Sequence, residues 1–253
     1  RAPLDRAVRR RRGMTLARLL VINPNTNADM TAMLCSSVER HVAPGTRVIG
    51  RTAAFGCPVI ATRASFAIAA HAALDSWAAE AEPVDAIILG CFGDPGLAAL
   101  REIASVPVVG LAEASFAVAD APFAVLTAGA PWREMLREQL AVSPRGTLCR
   151  GIWALDATGA DVVRDPQGFV AALDALAERA VGEGAERLIL GGAALAGYAP
   201  RLRPIAPFID CVAAAVRQLP SATVRPTVLQ PGPAAGLSPD LSALFAPAPL
   251  PGG

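Results

Sequence analysis

Short apolar runs alternate with longer alanine-rich or amphipathic segments along most of the chain. The apolar runs, bounded by Gly, Pro, Asn or Asp, are typical of buried strands, and the longer segments have helical spacing. The candidate strands are 17–22, 47–52, 84–90, 106–110, 123–127, 147–153, 186–191 and 206–210. The candidate helices are 28–41, 62–81, 95–104, 112–119, 131–140, 168–182, 198–203 and 211–219. Strands that alternate with helices predict an α/β fold with parallel sheets.

This pattern repeats at a spacing of about one hundred residues. The run 88–96 (ILGCFGDPG) aligns with 189–197 (ILGGAALAG) at an offset of 101, and each is followed by a second short apolar run. A duplicated βα unit places its equivalent strand ends around one cleft, where open parallel sheets bind ligands. We therefore expect Cys91 and Gly192 to face each other across that cleft.

The repeat also predicts the domain organisation. We expect one α/β half over 14–115 and a second over 116–220. The flank 1–13 holds six arginines and one acid, and the flank 221–253 is rich in proline and lacks periodicity. We expect both flanks to be disordered, with wrapping over the surface as the alternative for the second.

Composition excludes several classes of protein. The 23 basic residues are all arginine, so neither a pyridoxal-phosphate Schiff base nor a Walker P-loop is available. Outside the arginine-rich flank the chain has 17 of its 23 arginines and 21 of its 22 acidic residues. This slight excess of negative charge disfavours nucleic-acid binding. No apolar run reaches the ~18 residues of a membrane helix. Five cysteines without a CxxC pair indicate reduced thiols and a cytoplasmic location.

The two histidines do not predict a metal site, and we assign none. His71 lies off the apolar face of the helix over 62–81 and one turn before Asp75. We interpret it as a member of a solvated pair with Asp75 rather than as a catalytic group.

Cys91 is the first candidate for chemistry. It ends a buried strand, and Asp94-Pro95 has the residue types of an N-cap and a first helical position. On this interpretation the N–H groups of Phe92 and Gly93 point into the cleft near a helix N-terminus. Such surroundings lower a thiol's pKa and bind carboxylate or enolate oxygens. The alternative is a buried structural cysteine.

A polar turn after the first strand is the second candidate. Asn23, Asn25, Thr26 and Asn27 follow the apolar residue Ile22 directly. Burying such side chains without partners is costly, so we expect them to face water or a polar ligand. Thr26 or Asn27 also has the right position to cap the next helix, and we predict that the turn does both.

These two turns carry a resemblance to a known family. The run 22–27 (INPNTN) with Met30-Thr31, and the run 91–97 (CFGDPGL) with Arg101-Glu102, resemble the aspartate/glutamate/hydantoin racemase family, with the hydantoin racemases as the nearest branch. The similarity covers about 16–219. It implies two pseudo-symmetric flavodoxin-like domains with parallel sheets and an active site in the cleft between them. It also implies proton transfer without a cofactor at a carbon beside a carbonyl.

The resemblance assigns roles to individual residues. Racemases of this family place one cysteine on each face of the reacting carbon, and Cys91 matches the first. Gly192 stands where the second would be, so this chain lacks it. The implied substrate is a small carboxylate or hydantoin-like molecule, and a homo-oligomer is expected, with no nucleic-acid or membrane partner. The implied substrate-binding residues are Asn23, Asn25, Phe92, Gly93, Thr127, Gly192 and Ala193.

Three hypotheses follow from the missing cysteine. The first is a racemase or epimerase whose second base is Cys57, Cys211 or a water molecule. The second is a one-base decarboxylase or tautomerase that resembles the arylmalonate decarboxylases, in which one cysteine faces a glycine. The third is a catalytically silent protein that binds a small molecule. A racemase needs acid–base groups on both faces, and glycine supplies none. We favour the first hypothesis on the resemblance.

Overall fold

Two similar α/β halves follow one another along the chain. The structure, a computed structural model, describes residues 16–155, 165–219, 222, 224 and 235–245. The strands are β1 (Arg18–Asn23), β2 (Arg47–Thr52), β3 (Ala86–Leu89), β4 (Val108–Gly110), β5 (Phe123–Ala128), β6 (Cys149–Leu155), β7 (Arg187–Leu190) and β8 (Phe208–Asp210). The helices are α1 (Ala28–Glu39), α2 (Arg63–Ala78), α3 (Leu97–Ile103), α4 (Leu111–Val118), α5 (Trp132–Val142), α6 (Pro166–Gly182), α7 (Cys211–Gln218) and α8 (Pro239–Leu244).

Each half contains one four-stranded parallel sheet. The strand orders are β2-β1-β3-β4 and β6-β5-β7-β8, so the second sheet reproduces the first strand for strand. Ile22 pairs with Leu89 in the first sheet, and Leu126 pairs with Leu190 in the second. The predicted two-part parallel fold is therefore confirmed. Asn23 and Thr127 become equivalent residues at the ends of the two central strands.

The central strands explain the apolar runs in the sequence. Residues 86–89 of β3 and residues 188–190 of β7 are fully buried, as are residues 19–23 of β1. Strands covered by helices on both faces are apolar at every position rather than at every second one. The edge strand β2 is different, because all six of its residues keep some exposure.

One apolar cluster joins the halves. It contains buried residues of both sheets together with α4 and α7, which pack against each other. Phe116 of α4 lies edge-on to Phe92, with ring centroids 5.9 Å apart, and stacks on Phe123 at 6.0 Å. Each such aromatic pair contributes about 0.5–1.5 kcal/mol beyond burial of its area. The two halves therefore share one apolar core.

Local details differ from the sequence-based prediction in two places. The segment 198–203 forms a short 3-10 turn at Ala199–Arg201 rather than an α-helix. The proline-rich flank contains α8, which starts at the Ser238 cap and buries Leu241 in a helix that contacts α2. In 235–245 the tail therefore wraps the surface instead of being disordered.

The division into domains stays a prediction. The expected boundary between residues 115 and 116 falls inside α4, and the flank 1–13 lies outside the described residues. No helix in the described part of the chain is long and apolar enough to cross a membrane.

Candidate active site

The polar turn after β1 is held together by its own side chains. Asn23 is fully buried, and its Nδ2 donates to Asn25 Oδ1 at 2.8 Å, to Asn27 O at 3.0 Å and to Thr31 Oγ1 at 3.0 Å. Asn27 Oδ1 accepts from the N–H groups of Asp29 and Met30 and caps α1, as predicted. Asn23 therefore orders the turn from behind. Asn25 uses its Oδ1 within the turn, and its Nδ2 donates to no described residue.

The turn after β3 carries Cys91, which is partly buried. The Asp94 N–H donates to Cys91 O at 3.0 Å and closes the turn. Gly93 has φ +146°, and a Cβ there would lie 2.5 Å from the Trp132 ring. Gln139 Nε2 also donates to Gly93 O. Because Trp132 and Gln139 belong to α5, the second half fixes the thiol-bearing turn of the first.

Asp94 does not cap the helix that follows it, so this expectation was wrong. Gly96, with φ +76°, turns the chain so that α3 begins only at Leu97. The Asp94 carboxylate instead accepts the N–H groups of Ala112 (3.1 Å) and Glu113 (2.8 Å) at the start of α4. Burial, with a smaller contribution from the charge of Glu113, raises the pKa of Asp94 to about 7, although the two N–H bonds and Arg101 oppose the rise.

The Cys91 thiol is also in a different electrostatic state from the one expected. Burial raises its pKa well above the ordinary value, and the nearby Asp94 and Cys211 add to the rise. The prediction of a lowered pKa was wrong, because removal from water and a neighbouring carboxylate outweigh backbone dipoles. Cys91 therefore rests as a neutral thiol. The N–H groups of Phe92 and Gly93 donate to no described group, so they stay available for an oxygen atom.

The turn after β7 lies against the turn after β3. A Cβ on Gly191 would be 2.7 Å from Phe92 Cε1, so the residues next to Cys91 and Gly192 touch across the cleft. Gly192 has an extended backbone (φ 163°), and a Cβ there would meet only Leu195 and Thr127 Oγ1, at 3.7–4.0 Å. Position 192 therefore has room for a side chain. Ala193 begins the 3-10 turn that follows.

A second thiol lies beside Gly192. Cys211 is fully buried at the first position of α7, and its Sγ donates to Gly192 O at 3.8 Å. Burial and then Asp210 raise its pKa to about 12, while the contact with Gly192 and the N–H groups of Cys211 and Val212 oppose the rise. The sequence analysis named Cys211 as one candidate for the second base, but only the fold brings it to Gly192, because 19 residues separate them.

The other two groups considered from the sequence are placed differently. Cys57 O accepts the Thr26 N–H at 3.2 Å, so its loop borders the polar turn, and the side chain is partly exposed. His71 was expected to pair with Asp75, and it does not. Its ring lies edge-on to Phe55 at 4.9 Å, and its buried Nε2 has no hydrogen-bond partner among the described residues.

Sequence reasoning missed the residues that pack on Gly93, two positions after Cys91. Phe66 of α2 lies 6.3 Å from Trp132, centroid to centroid, and both approach Gly93. The position of Trp132 just after the turn at Gly129 was a local signal that could have marked it as a site residue. Nothing local pointed to Gln139, because its partner Gly93 lies 46 residues away.

The match to a family model decides the family. The model described as Asp/Glu/Hydantoin racemase matches residues 19–219. This chain belongs to that racemase family. A hydantoin racemase of Paenarthrobacter aurescens is 35% identical over 211 residues, which cover 79% of this chain and 88% of the relative.

Two solved structures of allantoin racemases are similar to this chain over most of its length. An allantoin racemase from Pseudomonas fluorescens has a TM-score of 0.79 and 26% identity, covering 92% of this chain and 97% of its own. An allantoin racemase from Klebsiella pneumoniae has a TM-score of 0.77 and 29% identity, with coverage of 92% and 94%. The resemblance drawn from the two turns is therefore confirmed, and so is the isomerase class.

Proposed function

We propose that the protein racemises or epimerises a small substrate at a carbon beside a carbonyl, with a hydantoin or a related cyclic ureide as the preferred class and a carboxylate as the alternative. The observation that carries this proposal is the contact of the two glycine turns, with Cys91 on one side of the cleft. Relatives named for hydantoin and allantoin racemisation support the substrate class.

Each site residue has a role in this proposal. Cys91 exchanges the proton, and the N–H groups of Phe92 and Gly93 hold the oxygen that becomes negative in the enolate. Asn25 and Thr127 offer polar contacts from the two halves. Asn23 positions the turn rather than touching substrate, because its amide already donates to three neighbours. The small residues Gly192 and Ala193 leave room for the ring.

The electrostatics favour proton transfer to and from carbon. A carbon beside a carbonyl is a weak acid, so a base whose conjugate acid has a low pKa removes its proton poorly. The raised pKa of Cys91 makes its thiolate a stronger base, and the same burial strengthens hydrogen bonds to the enolate.

A cytoplasmic location and self-association stay predictions from the sequence.

A second candidate function rests on Gly192. Because no side chain projects from this position, a single thiol on one face would suit a decarboxylase or tautomerase, in which only one proton is delivered. This candidate predicts stereospecific product from a disubstituted malonate and no interconversion of enantiomers.

One experiment separates these functions. The protein is incubated in D₂O with single enantiomers of 5-substituted hydantoins and allantoin, and separately with disubstituted malonates. Chiral chromatography, deuterium content at the reacting carbon and carbon dioxide release are followed. We expect inversion with uptake of one deuteron from the ureides. Carbon dioxide release without inversion would replace the racemase by the decarboxylase, and no reaction at all would leave only the silent binding protein.

A further inference from the structure

We infer that Cys211 is the second acid–base group of the cleft and serves the face of the substrate opposite Cys91. This inference rests on the proposed function, and it assigns the missing role to a residue on a different strand–helix junction. Cys211, at the junction of β8 and α7, takes the role that a cysteine at position 192 would have.

Contact geometry is the first support. Cys211 Sγ donates to the carbonyl of Gly192, the residue that the repeat and the sheet register make equivalent to Cys91. Phe92 lies in the same buried cluster as Cys211 and reaches across to Gly191. The thiol therefore lies against the turn that faces Cys91, not on a distant surface.

Comparison of the repeats is the second support. The start of α4 is Leu111, and the equivalent start of α7 is Cys211, because β4 and β8 end 100 residues apart. The first half thus has cysteine in its turn and leucine at the helix start. The second half has glycine in its turn and cysteine at the helix start. Each half supplies one thiol to the shared cleft, from a different position along the chain.

The helix start also gives this thiol a means to carry charge. Burial and then Asp210 raise the pKa of Cys211 to about 12, and the backbone at Cys211 and Val212 opposes part of that rise. Partial positive charge at the first turn of a helix has this effect in general. Asp210 caps the same helix through Val212 and Ala213 at 2.9 and 3.0 Å, so the turn that holds the sulfur is well ordered.

The remaining described cysteines do not offer this arrangement. Cys149 begins β6, at the end of the sheet opposite to the cleft, and its Sγ donates to Gly151 O. Cys35 lies under β2, close to Gly50. Cys57 is on the partly exposed loop after β2. Cys149, which is partly buried and lies away from the Gly192 turn, therefore provides a control for the loss of a cysteine elsewhere in the fold.

The proton balance of the step is simple. One sulfur, as thiolate, takes the proton from the reacting carbon and becomes a thiol, while the electron pair of the C–H bond moves into the enolate. The other sulfur, as thiol, gives its proton to the opposite face of that carbon and becomes a thiolate. The product has the opposite configuration, and the two thiols have exchanged protonation states. The reverse reaction restores them.

The decisive test is solvent exchange with each enantiomer in D₂O. In Cys211→Ala we expect racemisation to fall by about 10²-fold or more. The enantiomer whose proton faces Cys91 should still exchange it for deuterium with retention, whereas the other enantiomer should not exchange. Cys149→Ala should behave as the unmodified protein. Cys211→Ser is examined as well, because a hydroxyl keeps the size of the buried side chain.

A rescue variant makes the test specific to the thiol. Gly192→Cys adds a side chain where the structure has space, so the double variant Gly192→Cys/Cys211→Ala should recover at least tenfold of the lost racemisation. If Cys211→Ala and Cys211→Ser, both folded by circular dichroism, racemise at the unmodified rate, the inference is overturned.

A readout independent of turnover separates the two claims. Dibromobimane becomes fluorescent when both of its bromomethyl groups have alkylated thiols, each with loss of bromide and a proton. We expect fluorescence from the unmodified protein and from Cys149→Ala, and its loss in Cys91→Ala and in Cys211→Ala. Fluorescence without turnover of any substrate would overturn the proposed function but keep the paired thiols. Unchanged fluorescence in Cys211→Ala would overturn the pairing itself.

Discussion

The two glycine turns have the same place in equivalent sheets but carry their functional groups differently. In the first half, Cys91 follows the strand, Asp94 lies in the turn and Gly110 precedes the helix. In the second half, Gly192 follows the strand, and Asp210 precedes the helix. The comparison shows that equivalent places in the two halves can be served by residues from different positions along the chain.

The carboxylates show this most directly. Asp94 reaches from its turn to cap α4, and a Cβ on Gly110 would lie 2.4 Å from its carboxyl carbon. Asp210 caps α7 from the helix start and reaches back to the turn, where its Oδ2 accepts the Gly197 N–H at 2.7 Å. Each carboxylate joins the turn to the following helix. In the first half a side chain at position 110 would collide with the Asp94 carboxylate, so only one of the two positions can carry the carboxylate.

The largest expected effect concerns the thiol. Cys91→Ser should reduce racemisation by roughly 10²–10⁴-fold with little change in melting temperature, because a serine hydroxyl is a far weaker acid. The matched change in the other turn, Gly192→Ala, should cost less than about tenfold, because its added methyl group meets no close neighbour. Chiral chromatography measures both. Equal losses would show that the two turns contribute alike and that Cys91 has no special role.

The second effect concerns packing of the turns. Gly93→Ala should destabilise the protein by about 2–4 kcal/mol, because the methyl group strikes Trp132 and φ of +146° is strained for alanine. The equivalent residue of the second half is Ala194, and Ala194→Gly should change stability by no more than about 1 kcal/mol. Urea denaturation gives both values. A Gly93→Ala protein as stable as Ala194→Gly would mean that α5 does not clamp the first turn.

The third effect concerns the exchanged carboxylates. Asp94→Gly removes a cap at a residue whose φ of +53° suits glycine, so the loss should be about 1–2 kcal/mol. Gly110→Asp alone should be worse, because its side chain collides with Asp94. The double variant Asp94→Gly/Gly110→Asp should recover most of the stability by reproducing the second half. A double variant as unstable as the sum of the two single variants would refute the equivalence.

The smallest effect is a pH dependence confined to the first half. Unfolded Asp94 releases its proton near the ordinary value of 3.8, whereas folded Asp94 holds it until about pH 7. The folded state binds more protons between these values, so the contribution of Asp94 to stability falls as pH rises from about 4 to 7. Because the residue is partly exposed, we expect on the order of 1 kcal/mol. The change should be absent in Asp94→Asn, and urea denaturation at pH 4.5 and 7.5 measures it against the unmodified protein.

Much of this architecture could be predicted because buried parallel strands leave a strong local signal. The predicted strand 47–52 agrees with β2 at both ends, and 17–22 is displaced from β1 by one residue. The family turns were also readable, since Asn27 caps the helix next to it and the Cys91 turn follows its strand directly. Nearest-neighbour chemistry and periodicity were sufficient at these positions.

The failures share one physical cause. Asp94 was assigned to the helix that follows it, but its partners Ala112 and Glu113 lie 18 and 19 residues further along. The Cys91 pKa was expected to fall, yet burial in the folded protein raises it. A sequence shows which groups are close along the chain, not how much water the folded protein removes from them.

The sequence by itself determined the repeated α/β fold, the family and the asymmetry between Cys91 and Gly192, because each is written in local composition and spacing. Only the tertiary structure decided what surrounds the thiol. It placed Trp132 and Gln139 over Gly93, and Cys211 beside Gly192. These contacts follow from the packing of one half against the other, and packing depends on long-range geometry that no local pattern encodes.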